Sequence, residues 1–220
     1  MKKVIIFGLG NIGELAHYYL ENDSDYSVCG FTVDKEFLED DSFKGLPVIP
    51  FEEVDNVFSQ DEYSMFIALS YAKMNKVREQ KYIESKKKGY KIISYISSKA
   101  TIFDNVKTGE NCFILENNVI QPFVEIGNNC TLWSGNHIGH HSRIMDNCFI
   151  SSHVVVSGGV TISNNCFLGV NSTIRDHVKI GKENIIGAGS LILSDTEDFK
   201  IYKEKETNPS KVPSYKLKKI

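Results

Sequence analysis

The sequence predicts a two-part fold: an α/β, Rossmann-like N-terminal domain followed by a parallel β-helix coiled from six-residue repeats. Three observations carry this. Taking every sixth residue from Ile102 to Ile192 gives an aliphatic side chain in fifteen of sixteen places, Thr108 being the exception. Cys112, Cys130, Cys148 and Cys166 recur every 18 residues, three times that period. Near the start, Gly8-x-Gly10-x-x-Gly13 joins an apolar run to an amphipathic one.

The first element is the strand in "KKVIIF", and the glycine turn leads into a helix over "NIGELAHYYLEN". Strand, glycine turn and helix are the context that a nucleotide-binding fingerprint requires, because the free N–H groups of the helix start can hold a diphosphate. "YSVCGFTVD" supplies a second strand ending in Asp34, where a carboxylate could meet a ribose hydroxyl. The same glycines would also be needed if they served only tight packing of strand on helix. "GLPVIP" and "SMFIALS" read as further strands, "KMNKVREQKYIESKKKG" as a helix, and "YKIISYI" as the last strand feeding the coil. An enzyme that binds a dinucleotide normally has two mononucleotide halves, so this half-fold better suits a single nucleotide. The domain is expected to span 1–97.

Over 98–195 a period of six fits neither a helix at 3.6 nor a plain strand at 2. Three short strands per 18-residue turn, stacked in parallel, satisfy it. The aliphatic column fills the interior, and a second column of small residues, four positions on, carries the cysteines. Stacked in register, those cysteines stand about 4.8 Å apart, beyond the ~3.8 Å that a disulfide spans between Cβ atoms. They read as compact hydrophobes in a reducing compartment. Glycine often follows the aliphatic residue, as at Gly109, Gly127 and Gly139, and glycine and asparagine are expected to take corner conformations with positive φ. Residues 196–220 form a tail.

Composition excludes some functions. A net charge of −3 offers no positive field for a phosphate backbone, so nucleic acid is not expected as a partner. No apolar run approaches the roughly 20 residues of a membrane span, and "MKKVIIFGLG" breaks into glycines too early for a signal peptide. A cytoplasmic protein is expected.

The hexad pattern resembles the hexapeptide motif of left-handed β-helix acyltransferases. Together with the N-terminal domain it is similar to the sugar acetyltransferases that include bacillosamine-pathway N-acetyltransferases and sialic acid O-acetyltransferases. The resemblance implies a homotrimer that uses acetyl-CoA and no metal, with acceptor and cofactor meeting between neighbouring prisms. It implies that Gly10, Asn11, Ile12 and Asp34 hold a nucleotide-linked sugar, and that Phe149, Gly158, Val170 and Ala188 line the pantetheine arm. The tail "NPSKVPSYKL" resembles a common ending of these enzymes, which would bring Lys211 to the CoA phosphates. The turn "GNIG" and the single Asp34 depart from the commoner glycine-histidine turn and paired aspartates.

Four of the six histidines lie within residues 134–153. His140 and His141 fall two and three places beyond the interior Ile138, at an outward corner, and Gly158 and Gly159 occupy the same columns one turn later. Loss of volume beside the pair is expected to open a slot for a ligand. In the resembled family the histidine at this point is the general base, a role that maps onto His140. Relatives follow it with an acid that orients the ring; His141 stands there instead, which leaves His141 as an auxiliary hydrogen-bonding group or calls on an acid such as Asp146 or Glu125 from an adjacent chain. A zinc site is disfavoured, because His141 and His177 are two turns apart, about 9.6 Å by strand spacing, against ~4 Å across one zinc. The leading reading is N-acetylation of a nucleotide-linked 4-amino sugar. O-acetylation of a sialic acid-type sugar and a non-catalytic trimeric scaffold are the alternatives.

Overall fold

The computed structural model describes residues 2–203 and 213–216. Its N-terminal sheet contains β1 (Lys2–Phe7), β2 (Tyr26–Val33), β3 (Ser42–Phe43), β4 (Leu46–Pro50), β5 (Ser64–Ile67) and β6 (Lys91–Ile92), in the order β3-β4-β2-β1-β5-β6. All neighbours pair in parallel except β3 with β4. Val4, Ile5, Ile6 and Phe7 of the central β1 are all buried, as a parallel strand covered on both faces requires. Helix α1 (Asn11–Asn22) turns Gly13, Ala16 and Leu20 inward, and α2 (Lys76–Lys87) covers the other face.

The repeat region forms a three-sided prism. Its first face has seven rungs, beginning with Tyr95–Ile96; the second has six, from Thr101–Ile102; the third has five, from Lys107–Thr108. Adjoining rungs are parallel and offset by one 18-residue turn, as in Phe113 with Thr131, except the last pair of the first face, where Ile185 meets Ile201 sixteen residues on. The aliphatic column is inside, with Ile114, Ile120, Leu132, Ile138 and Ile150 all 0% exposed. The four stacked cysteines are buried and free. Each donates its thiol to a backbone carbonyl 15 residues on, from Cys112 to Gly127 at 3.1 Å through Cys166 to Gly181 at 3.1 Å.

Two details differ from the sequence expectation. "YKIISYI" is two strands rather than one: Lys91–Ile92 extends the N-terminal sheet, whereas Tyr95–Ile96 is the first prism rung. At the other end, Ile201–Tyr202 pairs with Ile185–Ile186, so a rung comes from the segment assigned to the tail. The corner glycines divide: Gly135, Gly159 and Gly189 take the expected positive φ, as do Asn111, Asn117, Asn129, His141, Asn147 and their sixfold equivalents, and the glycines directly after the aliphatic column do not. Those glycines are needed for clearance: a Cβ on Gly139 would sit 2.6 Å from the backbone nitrogen of Gly158 in the next turn.

The N-terminal domain is fastened across the first prism face. Outward rings on that face meet rings of the domain: Tyr95 and Phe113 face Tyr19, Phe113 also meets Phe66, and Tyr71 packs on Phe149 and Phe167 with centroids 5.0 and 4.9 Å away. Beside them, Arg78 is 1% exposed and has no carboxylate partner among the described residues. It donates to the carbonyls of Ser70 (3.0 Å), Asn129 (3.1 Å) and Cys148 (3.3 Å), so one guanidinium ties the domain's loop to two prism turns. Burial pulls its pKa down to about 10, which still leaves it charged at neutral pH. Asn111, Asn129 and Asn147 form a side-chain ladder along the same joint, each amide donating to the next at 2.8 Å. The second face is left partly apolar, with Val119, Val155 and Leu191 exposed, while the third bears Lys107, Glu125 and Arg143 in an ion-paired row.

Candidate active site

His140 and His141 form the corner between the second and third faces, since His137–Ile138 belongs to the second and Arg143–Ile144 to the third. Both side chains are exposed. His140 donates its backbone N–H to Gln121 Oε1 (2.9 Å), and His141 donates its own to the carbonyl of Pro122 (3.2 Å). The two rings meet through their Nδ1 atoms at 3.1 Å. One Nδ1 must therefore carry a proton and the other accept it. The His141 ring lies against Phe123, with centroids 4.6 Å apart and planes at 33°.

The slot expected beside the pair is filled by the imidazole itself. A Cβ on Gly158 would lie 2.7 Å from His140 Cε1 and 2.8 Å from Nε2, so the missing side chain is what seats the ring on the next turn. The Gly158 N–H has no acceptor among the described residues, whereas its neighbour Gly159 donates to the His140 carbonyl at 2.8 Å. The two acids considered as partners for His140 are occupied elsewhere. Glu125 pairs with Lys107 and Arg143, and Asp146 accepts the Asn128 N–H at 2.7 Å. His137 is half-buried on a rung, and the His153 ring covers Gly135 at another corner. Among the described residues no three His, Cys, Asp or Glu side chains converge as metal ligands.

The positions expected to line the pantetheine arm are not gathered within one chain. Gly158 adjoins His140, but Val170 and Ala188 stack at the corner between the first and second faces. Phe149 is 4% exposed under Tyr71 and packs in the domain joint. Lys211 lies outside the described residues.

At the glycine turn a cleft of about 530 Å³ opens over the ends of β1 and β2, between Gly8, Gly10, Val33, Phe37, Asp40 and Phe43. The three glycines do different things. Gly8 has φ +121°, and a Cβ there would strike the Ala68 carbonyl at 2.7 Å; one on Gly13 would strike the Gly8 carbonyl at 2.2 Å. These two serve packing. Around Gly10 nothing in the chain lies within 4 Å of such a Cβ, so its bareness is not required by packing. The first α1 hydrogen bond runs from Glu14 to the Gly10 carbonyl, which leaves the N–H groups of Asn11, Ile12 and Gly13 without helical acceptors. The Asn11 side chain is exposed, and that of Ile12 packs on the domain core. Asp34, expected to meet ribose, is instead held by Lys81 at 2.6 Å. Burial lowers the Lys81 pKa, and the hydrogen bonds to Asp34 and Glu84 outweigh that, for a net rise. The acids on the cleft wall are Glu39 and Asp40, which the sequence reading passed over. Gln121 and Phe123, the contacts of the histidine pair, were also missed, although each lies about one turn before it.

Fold and repeat agree on the architecture: a left-handed β-helix of six-residue repeats behind a Rossmann-like N-terminal domain. The bacterial transferase hexapeptide (six repeats) model matches residues 105–140, 126–158 and 159–194. Among solved structures the chain is similar to a mutant of perosamine N-acetyltransferase from Caulobacter crescentus in complex with CoA and GDP-perosamine, at 20% identity, with 93% of this chain and 94% of that one covered and a TM-score of 0.81. It is also similar to WeeI from Acinetobacter baumannii AYE (18% identity, 91% and 96% covered, TM-score 0.77). The acetyltransferase domain of PglB from Neisseria gonorrhoeae FA1090 matches at 18% identity, with 96% and 100% covered and a TM-score of 0.55. No curated protein matches the sequence. No helix among the described residues is long and apolar enough to cross a membrane.

Proposed function

We propose that this chain is an acetyltransferase that moves acetyl from acetyl-CoA to the amino group of a nucleotide-linked sugar, in the cytoplasmic synthesis of a surface glycan. The observation that carries the reading is the His140–His141 contact at 3.1 Å, with the His140 ring seated on Gly158. With the proton on its Nδ1 donated to His141, His140 keeps Nε2 free as a base. His141 thus does with a ring nitrogen what a carboxylate would otherwise do. The likeness to an N-acetyltransferase complexed with CoA and GDP-perosamine supports an amine acceptor and a nucleotide handle.

The acceptor amine attacks the thioester carbonyl, forming the C–N bond and an oxyanion. The unpaired Gly158 N–H stabilises that oxyanion, and Nε2 of His140 removes the surplus amine proton. As the carbonyl re-forms, the C–S bond breaks and its electron pair leaves on the CoA sulfur.

The nucleotide sits in the glycine cleft with its diphosphate on the start of α1. Because the N-terminal domain covers the first face and His140 occupies the opposite corner, the prism stands between cleft and base within one chain. A second copy must therefore bring its His140 to the sugar, and the bare second face, with Val119, Val155 and Leu191, suits packing into a homotrimer. The test is thiol release from acetyl-CoA with a panel of nucleotide-linked 4-amino-4,6-dideoxy sugars and free sialic acid. His140→Ala is expected to lower turnover by about 10²-fold or more without weakening nucleotide-sugar binding. Turnover of sialic acid alone would overturn amine acetylation, and an undiminished His140→Ala enzyme would overturn the base.

A further inference from the structure

His177 lies two turns beyond His141, yet its ring does not stay at that distance. A Cβ built on Gly159 would sit 2.4 Å from His177 Nδ1 and 2.8 Å from Cε1. The ring therefore leans back one turn onto Gly159, while the His140 ring leans forward one turn onto Gly158. The backbone locks the same arrangement: Gly159 donates to the His140 carbonyl at 2.8 Å, and His177 donates its N–H to the Gly158 carbonyl at 2.9 Å. Two imidazoles thus approach a consecutive glycine pair from its two sides. The His153 ring covers Gly135 in the same manner at another corner, so seating on a glycine is by itself only packing. What sets His177 apart is that the neighbouring glycine carries the ring assigned as base, beside an unpaired N–H.

We propose that His177 is a second catalytic imidazole, the acid that protonates the departing CoA sulfur. This rests on the acetyl-transfer reading above. As the tetrahedral intermediate collapses, the C–S electron pair passes to sulfur and takes a proton from a ring nitrogen of His177; the amine proton stays on His140, and both rings return to their starting states through solvent. Splitting the two transfers spares His140 from having to turn from amine to sulfur within one collapse. His141 contacts the His140 ring at 3.1 Å, and Arg175 and Asp176 adjoin His177 in the chain, all of them exposed.

A base works neutral and an acid protonated, so the two rings bear on opposite limbs of the pH–rate profile. His177 has φ +60°, a conformation asparagine tolerates, so His177→Asn removes the ring and keeps the corner. Thiol release is measured against pH for the unaltered chain, His177→Asn and His140→Asn. The expected result is a fall in kcat of about 10-fold or more for His177→Asn, with both KM values within about twofold and the high-pH limb lost. An unaltered profile and kcat, or a loss confined to the KM for acetyl-CoA, would overturn the acid role while leaving acetyl transfer intact. No turnover by the unaltered chain on any acceptor would overturn both.

Discussion

Replacing Gly158 by alanine puts the ring-seating argument under direct strain. The new Cβ would lie 2.7 Å from His140 Cε1 and 2.8 Å from Nε2, against an ordinary carbon contact of about 3.5 to 4.0 Å. The imidazole must retreat by about 1 Å, because the opposing atom is backbone-anchored and the ring is free to move into solvent. A displacement of that size at a reacting group costs about 10²-fold in rate, or ~2.7 kcal/mol of barrier. Gly158 is not among the positive-φ glycines, so alanine strains no backbone there and should leave Tm unchanged or slightly raised. The alanine also keeps its N–H, so any loss reports the displaced ring and not a lost oxyanion donor. The assay pairs thiol-release kcat with a thermal melt of the same preparation. Turnover within about threefold of the unaltered enzyme, at equal Tm, would refute the claim that Gly158 is bare in order to seat His140.

Three further outcomes follow from the same geometry. Gly10→Val should weaken nucleotide-sugar binding by at least about tenfold with no change in melting temperature, since nothing in the chain approaches that Cβ; calorimetric titration decides, and unchanged affinity would remove the cleft from the site. Arg78→Leu should cost about 3 kcal/mol or more in urea unfolding, because it strands the carbonyls of Ser70 and Asn129 in a buried joint; a loss under 1 kcal/mol would mean that the rings alone hold the domains together. Hydrogen bonds from Ser98 and Tyr95 hold Asp23 down to about 2, below its ordinary 3.8. The folded value is the lower one, so its stabilisation is complete above pH 4 and fades as pH falls towards 2. Urea midpoints at pH 6 and pH 3 should therefore differ less in Asp23→Asn than in the unaltered chain, and equal differences would count against those bonds.

The prism was legible in the sequence because each turn repeats the one before it. A side chain's fate depends only on its place in the hexad, so Ile138 is interior and His140 at a corner whatever the rest of the chain does. The glycine turn was legible because strand, turn and helix are contiguous. What the sequence could not supply was anything that depends on which face the N-terminal domain covers. Phe149 reads the same whether bare or roofed by Tyr71, and it is a buried joint only because the domain lies on that face. Asp34 looked free because its partner, Lys81, is 47 residues away. The histidines lie between these cases. Their columns were visible, but whether a ring leans forward onto Gly158 or back onto Gly159 is set by side-chain rotamers and by the volume left open in the adjoining turn. Periodicity fixed where each residue stands in the coil; packing across turns and between domains decided which atoms it meets.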